Sequence, residues 1–225
     1  MHIFYNPEDN HTLPTEESWH SVKVMRLKAG SKAYVVDGKG AKHLIEITVP
    51  HLKKCEYKIL ETHTQADCAP YTHIALSPTK SMDRIEWFVE KSIEIGVNEI
   101  SFLLCKNSER KIIKLERLHK ISVSAMKQSG RTHLTKINPL IPFKAFVEHN
   151  KEELSLIAHL HEKGTALDDV IVQKRNCMLI GPEGDFSKEE VALALANNYK
   201  AVSLGNTVLR TETAGIVASY ALGRS

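Results

Sequence analysis

The sequence has little that would take the chain into or across a membrane. Nowhere does it hold an uninterrupted apolar run of the ~18 residues a spanning helix needs. Its opening, MHIFYNPEDN, lacks the basic and then apolar order of a signal peptide, so a cytoplasmic protein without a membrane partner is expected. Cysteine is sparse: Cys55, Cys68, Cys105 and Cys177 are far apart and form no C-x-x-C pair, which speaks against a zinc site or disulfide framework and for reduced, buried thiols. There is no G-x-x-x-x-G-K-[ST] and no G-x-G-x-x-G after a strand, so kinase, GTPase and ordinary dinucleotide chemistry lose their main support. The 12 histidines include no H-E-x-x-H. His159 and His161 would share one face of a strand as a strand-end pair near a pocket, but two ligands are too few, and no metal is expected. A G-x-S-x-G elbow for a serine hydrolase is also missing.

What is present is a globular composition, 42% hydrophobic and 25% charged over 225 residues, enough for one large domain or two smaller ones. The net charge is only +3, but it is unevenly spread. Residues 1–70 and 151–225 are close to balanced, whereas residues 71–150 carry thirteen Lys/Arg against eight Asp/Glu. Lys106 to Lys136 alone holds nine basic residues against two acidic ones, a surplus of seven. Such a run is either a solvated helix face or a surface that tracks phosphates.

The first 65 or so residues read as short strands: 2–5, 33–36, a turn at Asp37-Gly38, 43–49 and 56–60. This predicts a small β-barrel with little helix, followed by a polar linker over 61–70. After Tyr71 strands and helices alternate, the signature of an α/β domain with a mostly parallel sheet. Residues 73–76, 99–104, 154–160, 177–180 and 201–204 read as strands. Ile85, Phe88, Val89, Ser92 and Ile93 share one helical face that stops at Gly96, and Leu115, Leu118, Ser122, Ala125 and Met126 share another, which would turn the basic residues of that segment outward. Ser187-Lys-Glu-Glu190 fits a capping box and predicts a helix over 188–198, and Thr211-Glu-Thr213 opens another through Leu222.

Two loops follow buried strands, carry glycine and run toward helices: Gly181-Pro-Glu-Gly-Asp-Phe186, and Leu204-Gly-Asn-Thr-Val-Leu-Arg-Thr-Glu-Thr-Ala214. Loops at the carboxyl ends of strands are where open α/β sheets bind ligands, and glycine lets the backbone come close to a flat one. The alternative is that Pro182 and Gly184 only make a tight turn.

These strings carry a resemblance. Ile180-Gly-Pro-Glu-Gly184 and Leu204-Gly205 followed by Val208-Leu-Arg-Thr-Glu-Thr-Ala214 resemble the SPOUT superfamily of RNA methyltransferases, in particular the family that methylates ring nitrogen 3 of a uridine in bacterial 16S ribosomal RNA. His20-Ser-Val-Lys-Val-Met-Arg-Leu-Lys-Ala-Gly30 with Asp37-Gly38 is similar to that family's N-terminal PUA-like barrel. Lys80 to Gly96, Asn107-Ser-Glu-Arg110 and Ala125-Met-Lys-Gln-Ser-Gly-Arg131 are similar to its middle motifs, in the same order.

The resemblance implies a PUA-like RNA-binding β-barrel over 1–68 and a SPOUT α/β domain over 72–225, closed by a trefoil knot, in a homodimer. It implies a pocket for S-adenosylmethionine, released as S-adenosylhomocysteine, formed by Leu160, Gly181, Pro182, Glu183, Gly184, Leu204, Gly205, Val208, Leu209 and Arg210. Arg210 would stabilise negative charge on the target uracil, with Glu212 as base or as an orienter of Arg210; helix capping is the plain alternative for Glu212. Arg26, Arg110, Lys111, Lys127, Gln128 and Arg131 would hold RNA, either naked 16S ribosomal RNA or the assembled small subunit. Two positions depart from the family pattern: Asp185 stands where a second glycine is usual, and Lys127 where a glutamate is usual. Rival readings are a SPOUT enzyme acting on another ribosomal or transfer RNA base, a non-catalytic RNA-binding module, and a small-molecule α/β enzyme.

Overall fold

A computed structural model describes residues 2–8, 10–66, 70–150, 152–160 and 164–223; Cys68 and His161 therefore lie outside the described residues. The chain divides into two compact units, Met1–Cys68 with Val123–Leu134, and Ala69–Ser122 with Thr135–Ser225.

In the first unit, β1 (Ile3–Tyr5) lies parallel to β2 (Lys32–Val36), and β2, β3 (Ala41–Val49) and β4 (Glu56–Thr64) follow antiparallel, in the order β1-β2-β3-β4. Alternate residues of these strands, Ala33 and Val35, Ile45 and Ile47, point into a core completed by Phe4, Leu13 and Tyr57, as the period of two in a strand requires. The expectation of little helix needs correcting: α1 (Thr15–Trp19) continues into a π-helical turn over His20–Val24. Pro14 before Glu16 and Glu17 is an adequate helix start. The linker expected from Glu61 also begins later, because β4 stays paired with β3 as far as Thr64.

A second correction concerns the boundary. Val123–Leu134 was expected in the catalytic domain but belongs with the first unit. Leu134 N–H donates to Gly38 O at 2.9 Å, Gly40 N–H to Thr132 O at 3.1 Å, and the Lys127 ammonium meets Glu17 Oε1 at 2.5 Å.

The second unit is a seven-stranded sheet, β7-β6-β5-β10-β8-β11-β9, parallel at every pairing. Its strands are β5 (Tyr71–Leu76), β6 (Glu99–Leu104), β7 (Lys136–Pro142), β8 (Leu154–Ala158), β9 (Thr165–Ala166), β10 (Arg175–Ile180) and β11 (Lys200–Ser203). The central β5 and β10 are buried on both faces from Thr72 and Asn176 onward, as strands covered on both sides must be. The helices are α2 (Met82–Ile95), α3 (Leu115–Ser129), of which only the part up to Ser122 belongs to this unit, α4 (Phe143–His149), α5 (Lys188–Ala196) and α6 (Thr211–Gly223). The capping box is formed in full: Ser187 Oγ accepts from Glu190 N–H at 3.3 Å, and Ser187 N–H donates to Glu190 Oε2 at 2.9 Å.

Helix α6 packs on α2 and β5 through Gly215, the only residue type the space admits. A Cβ there would lie 2.5 Å from Phe88 Cε2 and 2.9 Å from Leu76 Cδ1, both fully buried. Gly215→Ala should therefore overpack the interface and destabilise by about 2 kcal/mol. A thermal melt should show this as a drop of roughly 4–8 °C for a chain of this size. An unchanged or higher melting point would mean that the helix pair yields freely.

Candidate functional site

Strands β8, β10 and β11 end side by side, and the loops leaving their carboxyl ends enclose a cavity of about 280 Å³. Nine residues expected around a cofactor line it: Leu160, Gly181, Pro182, Glu183, Leu204, Gly205, Val208, Leu209 and Arg210. Gly184 does not. It faces away, with Asn107 Nδ2 donating to its carbonyl at 3.1 Å. The cavity also takes in His159 and the loop residues Asp185, Thr207, Thr211 and Ala214, together with Ala158 and Ser203, which the motifs had not singled out. His159 is buried at the end of β8, where the strand pattern had placed it.

The loops are tied to one another and to their neighbours. Thr211 Oγ1, buried at the start of α6, donates to Gly181 O at 3.0 Å and joins the second glycine loop to the first. Glu183 Oε1 accepts the Lys80 N–H at 3.1 Å, which fixes the loop after β10 against the one after β5. Gly205 turns the chain at φ +127, a conformation that residues with a Cβ rarely adopt. Arg210 is exposed at the rim, and its carbonyl accepts Ala214 N–H at 2.8 Å, so its backbone belongs to the start of the helix. Glu212 does not line the cavity. It is buried, its Oε1 lies 3.5 Å from Arg84 Nε, and its Oε2 has no hydrogen-bond partner among the described residues.

The basic segment is less free than its charge suggested. Lys106 pairs with Glu189 at 3.3 Å, Arg117 with Glu86 at 2.5 Å, Lys127 with Glu17 at 2.5 Å and Lys136 with Glu99 at 2.9 Å. Arg110 spends its donors on the carbonyls of Thr79, at 3.0 Å, and Lys80. Four of the nine basic residues are therefore paired with carboxylates outside the segment. Lys111, Lys114, Lys120 and Gln128 are exposed, Arg131 is partly so, and Arg26 is exposed in the first unit in a left-handed conformation, φ 54.

At the opposite end of the sheet, His73, Glu99 and Glu152 bring candidate ligand atoms within 4.8 Å of one another beside a cavity of about 400 Å³. Every carboxylate oxygen there already accepts from the protein. Arg175 grips both oxygens of Glu152 at 2.6 and 2.9 Å, Lys136 and Asn138 donate to Glu99 Oε1 at 2.9 and 2.6 Å, and Tyr71 donates to Glu99 Oε2 at 2.6 Å. The cluster is thus satisfied without an ion and reads as a buttress.

Burial alone would raise the Glu99 pKa, but the His73 ring, Lys136, Tyr71 and Asn138 outweigh it and bring it to about 2. Burial pushes the His73 imidazole below its usual value. Both shifts make the fold acid-sensitive. The unfolded chain takes up a proton on His73 below about pH 6.5, and on Glu99 below about pH 4.3, before the folded chain does. Glu99→Gln should lower the melting point by an amount that is constant above about pH 5 and shrinks as the pH falls toward 2. Melts from pH 7 to 3 on both proteins check this, and a difference that ignores pH would remove Glu99 as the cause.

The described cysteines, Cys55, Cys105 and Cys177, are buried free thiols. Burial raises all three, Cys105 to about 12, which leaves them without nucleophilic character at neutral pH.

Comparison with known proteins covers most of the chain. Residues 13–60 match the RNA methyltransferase PUA domain. The chain is 27% identical over 216 residues to the ribosomal RNA small subunit methyltransferase E of Mesomycoplasma hyopneumoniae, covering 93% of this chain and 92% of that one. A crystal structure of a probable rRNA-methyltransferase from Porphyromonas gingivalis superposes with a TM-score of 0.90 at 37% identity, over 97% of this chain and 95% of that one. The ribosomal RNA small subunit methyltransferase E of Neisseria gonorrhoeae, bound to S-adenosyl methionine, superposes with a TM-score of 0.87 at 29% identity, over 99% and 96%. With residues 68–223 matching the RNA methyltransferase domain, this chain belongs to the RNA methyltransferase family.

Proposed function

We propose that the protein transfers the methyl group of S-adenosylmethionine to ring nitrogen 3 of a uridine in 16S ribosomal RNA. The observation that carries the reading is the cavity at the carboxyl ends of β8, β10 and β11, with both glycine loops on its walls. Its residues fit the group: the small residues Gly181, Gly205 and Ala214 on its walls leave room for a flat base, and Glu183 supplies negative charge for a cationic ligand. The relatives from Mesomycoplasma and Neisseria, named as small-subunit methyltransferases, support the substrate.

When bound, the cofactor supplies a methyl carbon already activated by its sulfonium. The protein's share is orientation and charge. Arg210 at the rim is placed to stabilise the negative charge that uracil acquires on losing its N3 proton. Glu212, buried beside Arg84, serves in this reading to orient the start of α6 and hence Arg210, in preference to acting as the base. The target base must be single-stranded or flipped out to reach the cavity. Arg26, Lys111, Gln128 and Arg131 are the residues of the expected RNA set whose exposure suits phosphate contact, whereas Arg110 and Lys127 act first on the protein.

The trefoil knot is part of the reading. It is supported by the insertion of β10 between β5 and β8 and the return of α6 onto α2 and β5. So is a homodimer, supported by Trp87 on α2 and Val217 and Tyr220 on α6, large apolar side chains left exposed on two packed helices. Light scattering that gave the mass of one chain would remove the dimer.

The test is titration calorimetry with S-adenosylmethionine, followed by transfer of labelled methyl to small subunits and to naked 16S RNA, with the modified nucleoside identified by mass spectrometry. Binding together with 3-methyluridine supports the proposal. Binding with a different methylated base leaves a SPOUT enzyme with another target, and no binding leaves an RNA-binding module.

A further inference from the structure

Among the described residues only His11, Arg26, Asp185 and Asn198 hold a positive φ without being glycine, and of these only Asp185 lines the cofactor cavity. Its φ is 59, a conformation that glycine takes without strain. A side chain held there needs a compensating interaction.

The compensation is visible. Asp185 Oδ2 accepts the Leu160 N–H at 2.9 Å, across 25 residues of sequence, and Oδ1 accepts the Phe186 N–H at 2.8 Å. Its own backbone is fixed on two more sides: Asp185 N–H donates to Pro182 O at 2.9 Å, and Asn107 Nδ2 donates to Asp185 O at 3.0 Å. The carboxylate is therefore held at one place, and what it grips is a different wall of the pocket. Leu160 sits two residues past the end of β8, with its side chain 64% exposed at the cavity.

We infer that Asp185 is a positioning residue that latches Leu160, just past the end of β8, to the loop after β10 and so forms the cofactor pocket before the cofactor arrives. The inference rests on the reading of this cavity as the S-adenosylmethionine site. A bond to a charged acceptor is stronger than a neutral one, and a wall ordered in advance need not be ordered at the cost of binding. A glycine at this position makes no such bond.

Two variants separate the latch from mere structure. Asp185→Gly suits the same φ and removes the carboxylate; Asp185→Asn tolerates that φ and keeps one oxygen able to accept the Leu160 N–H. In the ligand-free protein, amide exchange followed by NMR should show the Leu160 N–H exchanging about tenfold faster in Asp185→Gly and close to wild type in Asp185→Asn. The dissociation constant and KM for S-adenosylmethionine should rise about tenfold in Asp185→Gly with kcat unchanged, and by no more than about threefold in Asp185→Asn. Equal Leu160 exchange in wild type and Asp185→Gly would overturn the latch. Unchanged cofactor affinity in Asp185→Gly, or an Asp185→Asn as weak as it, would overturn its role in binding. A wild-type protein that fails to bind S-adenosylmethionine would instead sink the cofactor reading, while the exchange measurement in ligand-free protein still decides whether the latch exists.

Discussion

Arg210→Ala is expected to lower kcat for methyl transfer by about 10²–10³-fold, the usual loss when a group stabilising developing charge is removed. Affinity for S-adenosylmethionine should change by less than about threefold, because Arg210 stands at the exposed rim of the cavity and not among its buried walls. The physical reason lies in the nucleophile. A uracil N3 that carries its proton has no lone pair free in the ring plane, and the anion formed on losing it spreads charge onto the flanking carbonyl oxygens. A guanidinium presents several donors in one plane and can meet such an oxygen directly. Lysine at this position should recover little, since it offers a point charge without that geometry. Single-turnover transfer with saturating cofactor and small subunits isolates the chemical step. A loss below about fivefold would show that Arg210 serves binding alone and that the anion is stabilised elsewhere.

The glycine loops were legible because they depend on local chemistry. A strand that stops at Ile180 or Ser203 and is followed by glycine announces a ligand loop whatever the rest of the chain does. The same holds for the capping box at Ser187 and the apolar face of α2, which need only their own neighbours. Strand β7 was not legible, since KINPLIP contains Pro139 and Pro142 and reads as irregular chain. The structure accommodates them at the edge of the sheet, with a register shift opposite Ile100 and Phe102, which is where proline is tolerated.

What the sequence hid altogether were pairings between distant residues. Lys127 was placed among the RNA contacts by the family resemblance and its basic segment, yet Glu17 lies 110 positions away and takes its charge. The place of Val123–Leu134 in the first unit was hidden for the same reason, because helical spacing says which face of α3 is buried but not which unit buries it. The latch from Asp185 to Leu160 is a third case: the sequence showed an aspartate in place of glycine, and only the fold showed what its carboxylate holds.

Gly205→Val should abolish measurable S-adenosylmethionine binding, raising the dissociation constant at least about 100-fold, for two reasons that act together. At φ +127 a β-branched residue is strained by roughly 1–3 kcal/mol, so the turn after β11 must move to admit it. In addition, a Cβ built on Gly205 meets nothing within 4 Å, and because Gly205 lines the cavity, the added side chain is free to occupy space the cofactor would need. Alanine separates the two effects, keeping most of the strain with little of the bulk, and should fall between wild type and valine. Gly205 is exposed, so the ligand-free variant should lose no more than that backbone strain, a drop of roughly 2–12 °C in melting point, whereas the upward shift that saturating cofactor gives the wild type should vanish. Calorimetry and melts on the same preparations read both quantities. A Gly205→Val protein that binds S-adenosylmethionine within about threefold of wild type would show that the cofactor sits elsewhere, because no ligand filling this cavity could ignore a valine on its wall.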